Sequence, residues 1–185
     1  MDEKLKHIII GCQKNKRQAQ KALYDSYSER LFGVCLRYSS NTEEAEDVLH
    51  DSFIKILNKI EQYQFKGSFE GWMRRITVNT ALERYRGQYK VINIQDSVKE
   101  FHEESYEDVL EQLTAGELIN LVQELSPKYK VVFNLYAIEG YSHQEIAKKL
   151  DISEGTSKSN LSRARGILQE KIKKYYNFNI KLGNN

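Results

Sequence analysis

The sequence has little proline, little cysteine and no long apolar run. Its 185 residues include one proline and two cysteines. A membrane-spanning helix needs about 20 consecutive apolar residues, and no such stretch occurs, so no membrane insertion is expected. The amino terminus, MDEKLKHIIIGCQKNK, has no small-residue cleavage site, which argues against a signal peptide. These absences predict a protein of the cytoplasm.

Cysteine and histidine are too few and too scattered to indicate a redox or metal centre. Cys12 and Cys35 show no CxxC spacing, and the four histidines form no cluster. Zinc sites and disulfide frameworks depend on such spacings. We therefore expect reduced packing cysteines, no metal and no cofactor. The sequence also lacks a recognisable nucleophile constellation, which predicts a protein that is not an enzyme.

Charge is unevenly distributed behind a net charge of +2. Residues 1–94 have a balance of +4 and residues 126–185 a balance of +6, whereas residues 95–125 have a balance of −8. Clustered basic residues are typical of surfaces that meet nucleic acid. The pattern indicates two nucleic-acid-facing modules joined by an acidic tether. Ordinary surface charge is the alternative.

Apolar residues recur with a helical period along most of the chain, and alternating strand patterns are absent. We predict an all-α fold of two small helical bundles. The segment 91–113 is acidic and lacks an early period, which predicts a linker between domains at residues 1–90 and 114–185. Helices are expected near residues 2–13, 18–38, 42–60, 68–89 and 106–124. Asn41 with Glu44, and Ser126 with Pro127, mark helix starts.

The segment SHQEIAKKLDISEGTSKSNLSRARG, residues 142–166, predicts a helix-turn-helix. Ser142 and Glu145 have the spacing of a capping box, which starts the first helix. Asp151 to Ser153 is short enough for a tight turn, and Ser153 caps the second helix. One stripe of the second helix is expected to pack inward. It contains Ser157, Leu161, Ala164, Leu168 and Ile172.

The opposite face of this second helix is small and polar, which suits close approach to a DNA groove. Arginine can form paired hydrogen bonds with guanine, while lysines and hydroxyls suit phosphate oxygens. A solvated face on a structural hairpin is the alternative. We call the residues predicted to contact duplex DNA the duplex reader. On the outer face they are Thr156, Ser159, Ser162 and Arg163, beside Gly155 and Gly166. Lys158 and Arg165 lie along one edge and Asn160 along the other, and Tyr141 and Ser142 lie at the start of the first helix.

The predicted third helix has an acidic outer face. Its core stripe contains Ala45, Leu49, Phe53, Ile56 and Ile60. On the outer side, Asp47, His50 and Asp51 surround one apolar residue, Ile54. This arrangement is typical of a docking surface for a basic protein partner. Single exposed apolar residues are also common on surfaces that bind nothing.

Aromatic and basic residues mark the start and the surface of the helix near residues 68–89. Aromatic platforms bind unstacked bases with about 1–3 kcal/mol per base. A loop with its aromatics tucked underneath is the alternative. Trp72 shares a stripe with Met73 and Ile76 and is expected in the core rather than against DNA. The candidate single-strand residues are Phe65, Lys66, Gly67, Ser68 and Phe69 in the loop, with Arg75, Arg84 and Arg86 on the helix.

Taken together, these motifs resemble those of extracytoplasmic-function (ECF) sigma factors, the two-domain sigma-70-type subunits of bacterial RNA polymerase. EEAEDVLHDSFIKILNKIEQY looks like the family's polymerase-docking segment. FKGSFEGWMRRITVNTALERYR is similar to its promoter-melting and −10-reading segment. LSPKYKVVFNLYAIEGYSHQEIAKKLDISEGTSKSNLSRARGIL resembles its −35-reading domain. The likeness covers about residues 5–175 in the expected order.

The resemblance implies roles for individual side chains. Asp47, His50 and Asp51 would contact the clamp helices of the polymerase's largest subunit. The loop residues Lys66, Gly67, Ser68 and Phe69 would capture a flipped base of the non-template strand. Trp72, Arg75 and Asn79 would support melting and strand binding. Lys158, Ser159, Ser162 and Arg163 would read the −35 element.

The resemblance also implies partners, and the chain departs from the family pattern in three places, the first of which is a loop before Trp72 that is shorter than in many relatives. The expected partners are core RNA polymerase, promoter DNA both as duplex and as non-template single strand, and an anti-sigma factor. This chain has Ser157 where the family usually places valine, and Asn160 where arginine is common. The alternative to a sigma factor is a helix-turn-helix regulator with a helical sensing or dimerising domain, which would bind a palindrome as a dimer.

Overall fold

The computed structural model describes residues 2–89 and 115–182, and every regular element in these ranges is helical. The predicted all-α class is therefore confirmed. The chain divides into two compact units after Tyr89. The predicted linker, residues 91–113, and the beginning of the predicted helix near residues 106–124 lie outside the described residues.

The first unit consists of four helices and one short turn of 3-10 helix. Helix α2 packs against the other three helices, and α3 packs against α4. The 3-10 turn, Ile60–Gln62, follows α3 directly. The helices are α1 (Glu3–Gln13), α2 (Arg17–Tyr38), α3 (Thr42–Lys59) and α4 (Phe69–Tyr89).

Side-chain caps explain where α3 begins. The Asn41 side chain accepts a hydrogen bond from the Glu44 amide at 2.8 Å. The Glu44 carboxylate accepts one from the Ser40 amide at 2.6 Å. These bonds satisfy amides that a helix start leaves unpaired. The predicted start is confirmed, although the carboxylate reaches one residue further out than in a capping box.

The core of the first unit lies between α2, α3 and α4. Every member of the predicted α3 stripe is buried, so that stripe is confirmed. Cys12 and Cys35 are buried and unpaired, and burial raises the pKa of the Cys35 thiol to about 12. Gly11 allows α1 to approach α2 closely, because a Cβ there would lie 2.5 Å from the Cβ of Ala19.

The described part of the second unit, residues 115–182, contains four helices, one of which ends in a π-helical turn. Pro127 occupies the first position of its helix, as Ser126-Pro127 predicted. The π turn, Asn134–Ile138, continues that helix without a break. The helices are α5 (Ala115–Gln123), α6 (Pro127–Phe133), α7 (His143–Leu150) and α8 (Glu154–Leu182).

Helices α7 and α8 form the predicted helix-turn-helix. Ser142 and Glu145 make a complete capping box at the start of α7. Asp151 ends α7 in the left-handed conformation, with φ of 58°, a geometry that Asp tolerates better than most residues. The apolar stripe of α8 is buried as predicted.

No helix within the described residues combines the length and the apolar character that crossing a bilayer requires.

Candidate nucleic-acid and partner interfaces

The outer face of α3 carries the four predicted docking residues, and all of them are exposed. Ile54 is 46% exposed beside Asp47, His50 and Asp51. An open groove between α2 and α3 borders this face. Its lining combines apolar and acidic side chains, which suits a basic partner with an apolar ridge. The lining residues are Tyr24, Ser28, Glu29, Phe32, Glu46, Asp47, Leu49 and His50.

Ion pairs join this acidic face to α4. Arg84 donates through Nη2 to Asp47 Oδ2 at 2.7 Å, and its Nε lies 3.9 Å from Glu44 Oε1. Lys55 pairs with Glu83 in the same contact between helices. The sequence predicts docking for Asp47 and contact with DNA for Arg84. The structure brings these two residues together, so the two predicted surfaces meet at this pair.

The loop before α4 adopts an unusual backbone. Phe65 and Gly67 both have positive φ, 59° and 76°, and a bulky residue in this region is rare. Phe65 is 36% exposed, and Lys66, Gly67 and Ser68 are exposed too. The loop therefore presents an aromatic ring and a lysine to solvent. That combination can stack on a base and attract a phosphate.

The position of Phe69 differs from the prediction that this residue captures a flipped base. Its side chain is 3% exposed, with ring centroids 4.9 Å from Tyr63 and 5.6 Å from Trp72. A base cannot reach it in this conformation, because the first turn of α4 directs the ring into the core. Phe69 supports the loop from below. Trp72 is half-buried and packs against the core cluster, as its stripe predicted.

This loop is held by two side chains that are not among the predicted site residues. Tyr63 is buried, and its hydroxyl donates to the Gly67 carbonyl at 2.9 Å. Gln13 Nε2, at the end of α1, donates to the carbonyls of Ile60 at 3.1 Å and Tyr63 at 3.3 Å. The contact from Gln13 spans 47 residues of sequence, so no local pattern could have indicated it.

The basic side chains of α4 occupy different environments. Arg75 and Arg86 are exposed, and Asn79 is half-buried. Arg86 Nε also donates to the Leu82 carbonyl of its own helix at 3.4 Å. Arg75 and Arg86 therefore offer positive charge to solvent, whereas Arg84 is engaged by Asp47.

The exposed face of α8 matches most of the predicted duplex reader. Thr156, Lys158, Ser159, Ser162 and Arg165 are all exposed. Hydroxyls and cations thus cover this face, which suits contact with base edges and phosphates.

Arg163 lies at the border of this face. It is half-buried, with Nη1 3.5 Å from the hydroxyl of Tyr129 on α6. The guanidinium of Arg165 instead lies 5.7 Å from the ring centre of Tyr136 and remains exposed. Of the two arginines, Arg165 is the more accessible to a ligand.

The position of Asn160 differs from the prediction that it lies along the edge of the duplex reader. Its side chain is 9% exposed and faces the core. The reason is helical geometry: Ser157, three residues earlier, and Ala164, four residues later, are both buried on the same side. Gly166, also assigned to the outer face, is buried as well.

Ser157 lies in the buried stripe as predicted and makes a polar contact there. Its Oγ is 2.9 Å from Nδ1 of His143, the first residue of α7. The His143 ring stacks on Tyr136 with centroids 4.6 Å apart. Burial and the nearby Lys158 lower the pKa of His143. This hydrogen bond links the two helices of the helix-turn-helix.

The start of α7 is ordered by its own cap. Hydrogen bonds from Ser142 hold the pKa of Glu145 below its ordinary value. Half-buried Tyr141 lies next to Ser142, with its ring centre 4.5 Å from Lys149 Nζ. Within residues 2–89 and 115–182, no cluster of His, Cys, Asp and Glu could hold a metal ion.

Comparisons with known proteins agree with this geometry. The family description "Sigma-70 region 2" matches residues 23–91, and "Sigma-70, region 4" matches residues 115–168. The two matches together span more than half of the chain and correspond to the two units. Each match covers one of the two candidate DNA surfaces.

Several curated proteins are similar along most of this chain. The ECF RNA polymerase sigma factor SigW of Bacillus subtilis is 25% identical over 185 residues, covering 94% of this chain and 99% of that protein. The ECF RNA polymerase sigma-E factor of Haemophilus influenzae is 28% identical, covering 89% and 93%. The ECF RNA polymerase sigma factor SigE of Mycolicibacterium smegmatis is 29% identical over 83% of this chain, which spans 61% of that protein.

A solved structure is also similar. It is the sigma factor RpoE of Bartonella quintana, in complex with the anti-sigma factor NepR, with a TM-score of 0.49 and 22% identity. The alignment covers 83% of this chain and 96% of that chain.

Proposed function

This chain belongs to the ECF group of the sigma-70 family, and we propose that it binds core RNA polymerase and directs it to specific promoters. The observation that carries this proposal is the order of its parts. Matches to region 2 and region 4 occur in one chain, on two separate compact units. The protein acts in the cytoplasm by binding and positioning, without chemistry of its own.

The proposal divides the chain by task. Residues 1–90 dock on the polymerase, recognise the −10 element and melt it. Residues 91–113 act as an acidic tether. Residues 114–185 recognise the −35 element. Two reading units on a tether can engage two DNA elements at once, which raises the effective concentration of the second unit once the first has bound.

Docking is assigned to Asp47, His50, Asp51 and Ile54 on α3. Three of these residues are polar around one exposed apolar side chain, which supports contact with a basic helical partner through both charge and apolar burial. The clamp helices of the largest polymerase subunit are the proposed partner. An anti-sigma factor is a further partner that the family resemblance implies.

Reading of the −35 duplex is assigned to the exposed face of α8. Thr156, Ser159, Ser162 and Arg165 face solvent there, and Lys158 lies at the edge. Arg163 borders the same face. The cap at Ser142 presents the amino-terminal end of α7, with Tyr141 beside it, to a phosphate. Base edges are read by α8, while α7 fixes the orientation on the backbone.

Reading of the −10 strand is assigned to the loop before α4. Phe65 offers a ring for stacking, and Lys66 a charge for phosphate. Gly67 and Ser68 complete the exposed part of the loop. Arg75 and Arg86 extend the positive surface along α4, with Asn79 between them and Trp72 about one turn before Arg75. Arg84 would join this surface if its ion pair with Asp47 opened.

Run-off transcription tests the proposal directly. Core RNA polymerase of the source organism, freed of its own sigma subunits, is incubated with a library of genomic fragments, with and without this protein. We expect new transcripts with defined starts only when the protein is present. Specific DNA binding by the isolated protein, without polymerase and without new transcripts, would contradict the proposal and favour the regulator.

The alternative regulator is not favoured by the comparisons. A sensing or dimerising domain would have no reason to match sigma-70 region 2, yet residues 23–91 do. The similarity to SigW extends through both units.

A further inference from the structure

The loop between the 3-10 turn and α4 is held by side chains that lie outside the proposed DNA contacts. Tyr63 closes the loop on itself, since its hydroxyl donates to the carbonyl of Gly67 at 2.9 Å. Gln13 ties the start of the loop to α1 through two bonds from one amide nitrogen, to the Ile60 and Tyr63 carbonyls. The loop is therefore fixed at its start and near its end.

This loop needs such support because its backbone is disfavoured. Phe65 has φ of 59°, a left-handed conformation that side chains with a Cβ rarely adopt. Such a conformation persists only where the surrounding structure enforces it. The Tyr63 ring, 4% exposed, packs with its centroid 5.5 Å from Phe65. Its ring therefore fixes the position of Phe65, and its hydroxyl fixes the path of the chain to Gly67.

We propose that Gln13 and Tyr63 are positioning residues for single-stranded promoter DNA, and that α1 thereby takes part in selecting the −10 strand. This inference rests on the proposed function of the loop. Neither residue need touch DNA, because Tyr63 is buried and Gln13 bonds to the backbone beneath the loop. Their effect is to order Phe65 and Lys66 before DNA arrives, which lowers the entropy cost of binding.

Two conservative variants remove the support with little change in side-chain size. Tyr63→Phe deletes the bond to Gly67 and keeps the ring. Gln13→Met keeps the length and deletes both donated bonds. Each loss of hydrogen bonding is expected to weaken single-strand binding by about fivefold. Because a loosened loop fits correct and incorrect bases more equally, it should also reduce sequence discrimination.

The test uses holoenzyme assembled from the full chain and core polymerase. The probe is a fluorescein-labelled DNA with an upstream duplex and a downstream single strand, selected on wild-type holoenzyme from a pool randomised in both parts. Dissociation constants are measured for this probe, for versions with single base changes in the strand, and for the upstream duplex alone. Tyr27→Phe, in the same aromatic cluster, and Gln18→Met, on exposed α2 surface, are the matched controls.

The decisive quantity is the ratio of affinities for the selected and base-changed strands. This ratio does not depend on the fraction of protein that is folded, so a merely destabilised variant leaves it unchanged. We expect the ratio to fall in Tyr63→Phe and Gln13→Met and to stay at the wild-type value in both controls. Binding of the upstream duplex alone should be the same for all five proteins.

The outcomes separate the two proposals. If wild-type holoenzyme discriminates between strands and both variants discriminate equally well, the positioning role is wrong and the function of the loop stands. If the controls lose discrimination as much as the variants, the positioning role is also wrong. If wild-type holoenzyme gains no affinity from the single strand, the −10 assignment of the loop fails, and the inference fails with it.

Discussion

At the scale of single residues, Lys158 and Glu154 show how the charge of the α8 face is balanced. They lie one turn apart, with Nζ 2.8 Å from Oε1. The bond to Lys158 lowers the pKa of Glu154. Because both side chains are exposed, the pair contributes little to folding. In the proposed contact of α8 with DNA, Glu154 would compete with phosphate for the lysine.

This competition leads to opposite predictions for the two partners. Lys158→Ala should weaken binding to all duplex sequences about equally and lower the slope of log affinity against log salt by about 1. Glu154→Gln should strengthen binding at low salt, because it frees the lysine and removes a repulsive charge. Salt titrations of holoenzyme on a selected duplex measure both effects. A sequence-dependent loss in Lys158→Ala would instead assign this lysine to a base.

His143 gives the second unit a pH-dependent stability. Burial lowers the pKa of His143 below its ordinary 6.5, and the positive charge of Lys158 lowers it further. Arg165 has a smaller effect in the same direction, whereas Glu154 raises the pKa. Between the lowered value and 6.5, the unfolded chain binds more protons than the folded one, so stability falls as pH decreases through that window. Above 6.5 the contribution of neutral His143 is complete.

A histidine variant tests this linkage. Urea unfolding of the full chain, followed by amide NMR signals of α7 and α8, is compared between roughly pH 7 and pH 5, the range in which histidine changes charge. We expect the stability lost on acidification to be smaller in His143→Gln than in wild type. Equal losses in the two proteins would show that His143 does not carry the linkage.

At the scale of helices, the cap of α3 determines how well the docking face is ordered. Asn41→Ala removes the bond to the Glu44 amide and should lower the free energy of unfolding of the first unit by about 0.5–2 kcal/mol. The matched control is Asn58→Ala, which changes an exposed asparagine near the end of the same helix. Circular dichroism in urea measures both variants. If Asn41→Ala were as stable as Asn58→Ala, the side chain of Asn41 would not stabilise the start of α3.

A charge reversal on the outer face of α3, the proposed docking surface, should weaken polymerase binding without lowering the stability of the fold. Asp51 is exposed one turn from Asp47, so Asp51→Lys should change the melting temperature little. Against a basic partner, the same reversal places like charges together at a cost of several kcal/mol. We expect binding to core polymerase to weaken by about tenfold or more, as measured by co-purification and titration.

The control for the docking prediction is Glu61→Lys in the 3-10 turn. Glu61 is exposed and undergoes the same change of charge away from α3. It should leave polymerase binding intact. A folded Asp51→Lys variant that still assembles a transcribing holoenzyme would show that α3 is not part of the polymerase-binding surface.

Local features of the helices were predictable from sequence, and contacts across the fold were not. Asn41, Ser142 and the α8 stripe follow from caps and a 3.6-residue period, which act within a few residues. Burial of Asn160 depends on the rotation of α8 about its own axis against the neighbouring helices. A helical wheel predicts that rotation only to within about one residue position, or 100°. The bonds of Gln13 join distant segments and have no signature in either segment.

At the scale of the whole molecule, the two units are built on separate cores. Each has its own buried cluster, and the division falls after Tyr89. The balance of −8 over residues 95–125 lies between two positive segments. In the proposed function, negative charge in the predicted linker would disfavour binding of the linker itself to DNA and would leave the phosphate backbone to the two units.

Limited proteolysis tests this division. We predict that the first cuts fall within residues 91–113, because this acidic sequence lacks an early helical period and proteases cut most readily where the sequence predicts a linker. The two fragments should then resist further digestion, since each retains its own core. Mass spectrometry of the early products identifies the sites. First cuts within residues 42–60 or 142–165 would contradict the division into two domains joined by a linker.

The position of Trp72 has a spectroscopic consequence. It is the only tryptophan in the chain, and it stacks on Phe69 beside the loop that carries Phe65. Indole emission responds to changes in solvent contact and to stacked neighbours. A nucleobase that reaches this loop will therefore alter the fluorescence of the unlabelled free chain, while DNA bound to α8 alone will not. The protein carries an intrinsic optical reporter for one of its two units.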